Sequence, residues 1–191
     1  MAMSEERLML RFVRHGATAA NGAGLRCGGD LDLPLTPLGL EQAELVAAQV
    51  AVLNPRVDLI VTSDLRRTRE TAEAIVRRLP AVEVIVEPAF AERRIGRWNL
   101  LPVRESQPWF ESGLTPPGGE SDDEFVDRIT RAVQTLKDEL PRHPLLVASK
   151  GVARVLGHLT GIEERLELQN GDVFEFDLTA CPSLDTAWSP L

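Results

Sequence analysis

The apolar run Leu8 to Val13 ends in Arg14-His15-Gly16, which sets a guanidinium and an imidazole side by side at the end of a predicted strand. These residue types suit attack on phosphorus. Arginine offers a planar fork of donors to phosphate oxygens, and a neutral imidazole is a nucleophile that can carry a phosphoryl group. Gly16 lets backbone approach a ligand with no side chain in the way. A tripeptide alone is a weak signal, and the same three residues would serve as a polar turn after a strand. The chain holds only three histidines, His15, His143 and His158, so a mechanism needing two imidazoles has a short list to draw on.

The elements that must position these groups alternate along the chain. Leu8 to Val13, Val57 to Thr62, Val82 to Val86 and Leu145 to Ala148 are short runs rich in Val, Leu and Ile, and read as buried strands of a mostly parallel sheet. Thr36-Pro37 predicts a cap and first turn for a helix through Val52, with Leu38, Ala43, Val46, Ala47 and Val50 on its apolar side. Leu65 to Leu79 and Gly151 to Gly161 read as helices entered directly from strands. Ser121 with Glu124 forms a capping box, followed by Phe125, Ile129, Val133, Leu136 and Leu140 at helical spacing. Val173 to Leu178 alternates apolar and acidic residues as a half-exposed edge strand would, and is one place where two copies could meet as a homodimer.

This alternation predicts an α/β fold, a three-layer α/β/α sandwich with helices on both faces of the sheet. Ligands of such sheets bind beyond the C-terminal strand ends. Arg14-His15-Gly16, Ser63 to Arg67 and Ser149-Lys150-Gly151 all fall at such ends.

Composition narrows the reading. A length of 191 residues, 43% of them hydrophobic, suits one domain spanning 1–191. A formal net charge of -8 argues against nucleic acid or an acidic membrane surface as partner. Cys27 and Cys181 are too few for a disulfide framework, no Cys/His spacing suggests zinc, and a reducing, cytoplasmic setting is expected. The start, MAMSEERLML, has no long apolar stretch of the kind a signal peptide or membrane span requires.

The ordered motifs carry a resemblance that covers most of the chain. Val13-Arg14-His15-Gly16-Ala17-Thr18-Ala19-Ala20-Asn21, then Asp32-Leu33-Pro34-Leu35-Thr36 with Gly39 and Gln42-Ala43, come first. Ser63-Asp64-Leu65-Arg66-Arg67-Thr68 with Thr71-Ala72, Glu92 with Ile95-Gly96-Arg97-Trp98, and Pro117-Gly118-Gly119-Glu120-Ser121 follow in order. Together they resemble the histidine phosphatase superfamily, which contains cofactor-dependent phosphoglycerate mutases and many small phosphatases. The resemblance implies a phosphoglycerate mutase-like fold in which His15 attacks phosphorus and becomes phosphohistidine. It further implies that Arg14 and Arg67 hold the equatorial oxygens, Asn21 adds a neutral donor, and Glu92 protonates the leaving oxygen and then helps activate water. It calls for neither a metal nor another cofactor.

The late motif departs from the family. Where the resemblance would place Ser-His-Gly-Gly-Val-x-Arg, this chain reads Ala148-Ser149-Lys150-Gly151-Val152-Ala153-Arg154, so Ser149 stands at the second histidine's place. A serine donates one neutral hydrogen bond, roughly half as strong as a charge-assisted one. Lys150 could restore the charge if its stem turns inward, or could point to solvent. Thr18 and Lys150 are candidate substrate contacts. Asn99-Leu100 replaces the Glu-Gly common after the tryptophan, and Gly28 stands where glutamine is frequent, which puts the shape of the acid loop in question.

Trp98, His143 and His158 read as structural. The segment Asn99 to Gly119 holds Arg104, Gln107, Trp109 and Phe110, residues that would meet a substrate or cover the core. The expected activity is metal-independent hydrolysis of a small phosphorylated metabolite, with inorganic phosphate as product. The short chain leaves little material for the lid a mutase needs. A phospholigand-binding pseudophosphatase and a phosphoglycerate mutase-type phosphotransferase are the alternatives.

Overall fold

Among the described residues the strands pair in a five-stranded sheet whose order inserts the fourth strand between the first and second. The computed structural model describes residues 7–162, 166–179 and 181; the start of the amino-terminal segment, residues 1–6, lies outside them. The strands are β1 (Met9–Arg14), β2 (Leu59–Thr62), β3 (Glu83–Val86), β4 (Leu145–Ala148) and β5 (Val173–Asp177), in the order β3-β2-β4-β1-β5. β1, β4, β2 and β3 are parallel, and β5 runs antiparallel to β1 at one edge.

Alternation along the strands sends side chains to opposite faces, and each face has its own helices. Leu10, Phe12, Leu59, Val61 and Leu146 pack with Phe125, Ile129 and Val133 of one helix and Val152 and Leu156 of another. Val13, Ile60, Leu145 and Val147 pack on the other side with Ala43, Val46, Val50, Ala72 and Ile75. Each fully buried Leu, Ile or Val contributes about 1.5–3 kcal/mol relative to exposure. The helices are α1 (Ala19–Gly22), α2 (Pro37–Val50), α3 (Arg66–Arg78), α4 (Val103–Glu111), α5 (Asp122–Thr135) and α6 (Lys150–Leu159). The predicted three-layer α/β/α architecture is observed.

Local capping signals open α1, α2 and α5. The Thr36 hydroxyl accepts from Gly39 N at 3.1 Å to cap α2, and the Ser121–Glu124 capping box opens α5. α3 begins after Leu65, which has no capping side chain, and Asp32 Oδ1 supplies the acceptor instead, taking the Arg66 N–H at 2.7 Å. α2 ends at Val50, short of Val52.

Two sequence expectations change. Leu38 is 58% exposed, because Gly39 takes the inward position. A Cβ on Gly39 would lie 2.2 Å from Ala17 O, and one on Gly16 2.2 Å from Gly39 O, so bare backbone is what lets α2 pack on the loop after β1. The run 82–86 reads as a buried strand, but Val84 and Val86 are 42% and 50% exposed. β3 is the edge of the sheet, and a run of Val and Ile cannot distinguish an edge from a centre.

Candidate active site

The register of the central strands builds the site. Arg14 of β1 lies opposite Ala148 of β4, and His15 N donates to Ala148 O at 3.0 Å, so His15 and Ser149 leave adjacent strand ends together. The loop after β1 is latched from α3 and α2: Gly16 N donates to Thr71 Oγ1 at 3.1 Å and Ala17 N to Gln42 Oε1 at 2.8 Å. These contacts explain Thr71 and Gln42, which the motifs contained without an evident role.

His15 is 4% exposed, and its Nδ1 lies 2.7 Å from Gly16 O. A carbonyl only accepts, so Nδ1 carries the proton and Nε2 keeps its lone pair. Burial holds the imidazole pKa well below its ordinary value, and Arg67 and then Arg14 push the same way, against the hydrogen bond to Gly16. The ring is therefore held in the neutral form with Nε2 unprotonated. Asn170, which the motifs did not single out, donates from Nδ2 to His15 O at 2.9 Å and steadies the same loop.

Two arginines flank this ring. Arg67 is 1% exposed and donates to Leu31 O at 2.9 Å and Gly28 O at 3.1 Å. Arg14 donates from Nη1 to Leu168 O. Among the described residues, neither buried Nε has a hydrogen-bond partner, nor does the hydroxyl of Ser149, which stands at the α6 capping position without a capping bond. Buried orphan donors are costly in a folded chain. Three on the residues assigned to phosphate are what an oxyanion ligand would satisfy. Asn21 Oδ1 accepts from Thr18 N and Thr18 Oγ1, both at 3.0 Å, which orients the amide so that Nδ2 is the donor. Asn21 lines the cleft, whereas Thr18 is fully buried and works as the α1 cap rather than as a substrate contact.

Glu92 is held between two amides. Its Oε1 accepts from Arg93 N at 2.7 Å and its Oε2 from Gly151 N, in the first turn of α6, at 2.9 Å. Its loop is braced by ion pairs that the sequence did not reveal. Buried Glu120 pairs with Arg128 and accepts from Arg94 N at 2.9 Å, while Arg128 donates to the carbonyls of Ala89 and Ala91. Asn99 turns out to be a tie: it accepts from Gly28 N at 2.8 Å and donates to Asp30 Oδ1 at 2.8 Å. Burial opposes ionisation of Asp30, but the bonds from Asn99, Ile95 N and Gly96 N outweigh it and hold its pKa below the ordinary value.

Lys150 lines the cleft, yet its ammonium is paired with Glu167 rather than turned to the phosphoryl site. Arg154 reaches the same carboxylate at 3.6 Å. His158, expected to be structural, is exposed on α6 and lines the cleft. Trp98 packs as expected, its ring centroid 5.3 Å from Trp109 and 5.0 Å from Phe110. Gln107 and Phe110 of α4 reach the cleft. Among the described residues, no three His, Cys, Asp or Glu side chains gather as metal ligands would. Nor is any described helix long and apolar enough to cross a membrane.

The sequence profile of the histidine phosphatase superfamily (branch 1) matches residues 10–185. A protein named probable phosphoglycerate mutase GpmB in Photorhabdus laumondii is 37% identical over 95% of this chain and 90% of its own length. One of the same name in Yersinia pestis is 34% identical over the same shares. Among solved structures, a protein from Escherichia coli K-12, described provisionally as an alpha-ribazole-5'-P phosphatase, superposes with a TM-score of 0.79 at 25% identity, covering 92% of each chain. TTHB049 from Thermus thermophilus gives 0.72 at 28% identity, over 87% of this chain and 92% of its own.

Proposed function

The chain belongs to the histidine phosphatase superfamily, and on that premise we propose that it is a metal-independent phosphomonoester hydrolase working through phospho-His15. The observation that carries this reading is the commitment of His15 Nδ1 to Gly16 O, which leaves Nε2 as a neutral nucleophile beside Arg14 and Arg67. Nε2 forms the N–P bond as the P–O bond to the leaving group breaks, and Glu92 supplies the proton to the departing oxygen. Water, activated by the same carboxylate, then cleaves N–P and releases inorganic phosphate. The guanidiniums stabilise charge spread over the equatorial oxygens, in a site that needs no metal for that purpose.

Ser149 favours a slower catalyst than a two-histidine site. Losing one preorganised donor costs about 10²–10³ in turnover, which impairs a catalyst without abolishing it. Incubating the purified chain with a generic phosphomonoester, rapid quenching and intact mass measurement tests the reading. One phosphoryl group is expected on the wild-type chain and none on His15→Ala; turnover that survives unchanged in His15→Ala overturns it. Interconversion of phosphoglycerate isomers, measured alongside phosphate release, separates a phosphatase from a mutase.

A further inference from the structure

The cleft is larger than a phosphoryl group requires. Its volume of about 660 Å³ falls in the range of pockets that bury a drug-sized molecule. Of its lining, Arg14, Asn21, Glu92 and Gly151 belong to the phosphoryl site, and much of the remainder is apolar, including Val103, Phe110, Phe125, Val126 and Val155.

Arg93 is set into that apolar wall. It is 5% exposed, its Nε donates to Glu120 O at 3.0 Å, its Nη1 pairs with Asp122, and its Cζ lies 5.5 Å from the Phe110 ring centroid. Those anchors fix the plane of the guanidinium and leave Nη2 buried without a partner among the described residues. A donor kept in that condition is costly unless a ligand oxygen meets it. Helix α6 adds a second set. Lys150, Arg154 and His158 recur every fourth residue, share one helix face and all line the cleft. Lys150 and Arg154 have only one carboxylate, Glu167, between them among the ion pairs of the described residues. The cleft wall holds five Arg and Lys against three Asp and Glu, in a chain whose net charge is -8. Hydrolysing a phosphomonoester does not by itself explain positive charge spread that far from Arg14 and Arg67 along the lining.

We propose that the cleft contains a second anion subsite, formed by Arg93 with the Arg154–His158 face of α6. The substrate is then a phosphomonoester with a bulky, largely apolar leaving group that ends in a carboxylate or a second phosphate. This rests on the phosphatase reading of the site, since it assigns the part of the substrate that the phosphoryl pocket does not hold. Arg93 and Arg154 act on affinity and selectivity rather than on the bond-breaking step.

The test uses binding, which needs no turnover. Calorimetric titration of the full chain compares alkyl phosphonates of several lengths that end in methyl with those that end in carboxylate or a second phosphonate, with inorganic phosphate as reference. At the length that spans the cleft, the anionic terminus is expected to tighten binding about tenfold, as one charge-assisted hydrogen bond would. That advantage is expected to vanish in Arg93→Gln and to shrink in Arg154→Gln. Arg154 is 39% exposed at its side chain and pairs only peripherally, so its variant carries the test if Arg93→Gln fails to fold. Equal binding of methyl and anionic termini, with phosphate still bound, overturns the subsite and leaves the phosphatase reading standing. An advantage that persists in both variants overturns the assignment to these residues. Failure of every phosphonate and of inorganic phosphate to bind overturns both.

Discussion

Glu92 Oε2 accepts the backbone N–H of Gly151 at 2.9 Å, tying the proposed proton donor to the first turn of α6 across 59 positions of sequence. The contact requires glycine. A Cβ at 151 would lie 2.0 Å from Glu92 Oε1, closer than any side chain can approach.

Replacing Gly151 with alanine should therefore displace Glu92 while leaving α6 intact, because alanine is the better helix former by about 1 kcal/mol. We expect kcat on an alkyl phosphate to fall by about 10²-fold or more, in the range of a lost general acid. The loss should be smaller on 4-nitrophenyl phosphate, whose leaving oxygen needs no proton. Equal losses on the two substrates would argue that Glu92 does not serve as the acid.

The neutrality of His15 predicts a pH dependence of stability. Its folded pKa is depressed, first by burial and then by Arg67, so the unfolded chain binds the extra proton over the window below about 6.5. The stabilisation is fully present above that value and is lost as pH falls toward the folded pKa, by at most about 1.4 kcal/mol per pH unit. Chemical denaturation of wild type and His15→Gln between neutral and mildly acidic pH should show the steeper decline in wild type. Parallel slopes would mean that the imidazole is not held neutral.

The Ser149 hydroxyl is a donor with no hydrogen-bond partner among the described residues. Truncation to alanine breaks no internal hydrogen bond, so thermal stability should stay within about 0.5 kcal/mol of wild type or rise. Phosphate affinity and kcat/KM should nevertheless fall about tenfold, as expected for one neutral donor to an anion. Ser149→His should raise turnover above wild type if the second imidazole is what the site lacks. An alanine variant with unchanged phosphate affinity would remove Ser149 from the site.

Asn99 joins the loop carrying Gly28 to the turn after the acid motif, and Gly28 O in turn receives Arg67 Nη2 at 3.1 Å. Asn99→Ala should cost about 1–3 kcal/mol by leaving Gly28 N and Asp30 short of partners. It should also weaken phosphate binding, because the carbonyl that steers Arg67 loses its anchor. Thermal denaturation and phosphate titration of one preparation check both effects; a destabilised variant with wild-type phosphate affinity would limit Asn99 to a structural role.

Periodicity was sufficient to read α2, α3, α5, α6 and the strands, because each is a local signal; α1 and α4, at 19–22 and 103–111, carried no such pattern and were not read as helices. The Ser121 capping box, the apolar run 145–148 and the stripe 125, 129, 133 act within a few residues of themselves. Edge and centre are not local properties, which is why β3 read as buried; Leu38 read as inward because the close approach that turns Gly39 toward the loop after β1 is a tertiary contact. The motif residues His15, Arg14, Arg67, Asn21 and Glu92 were legible as a set, since order and spacing are written in the chain. Asn170, the Glu120–Arg128 pair and the cleft position of His158 had no such signal; each acts through a partner or neighbouring wall brought together only by folding.

The sequence by itself therefore determined the layered fold, through short-range spacing, and its ordered motifs singled out His15, Arg14 and Arg67 as the proposed nucleophile and phosphate-holding arginines. Tertiary structure alone decided which nitrogen of His15 is free, where Lys150 sends its charge and that Gly151 holds Glu92. Those outcomes depend on a carbonyl, a carboxylate and an amide meeting at hydrogen-bond distance, and only the assembled strand ends bring them there.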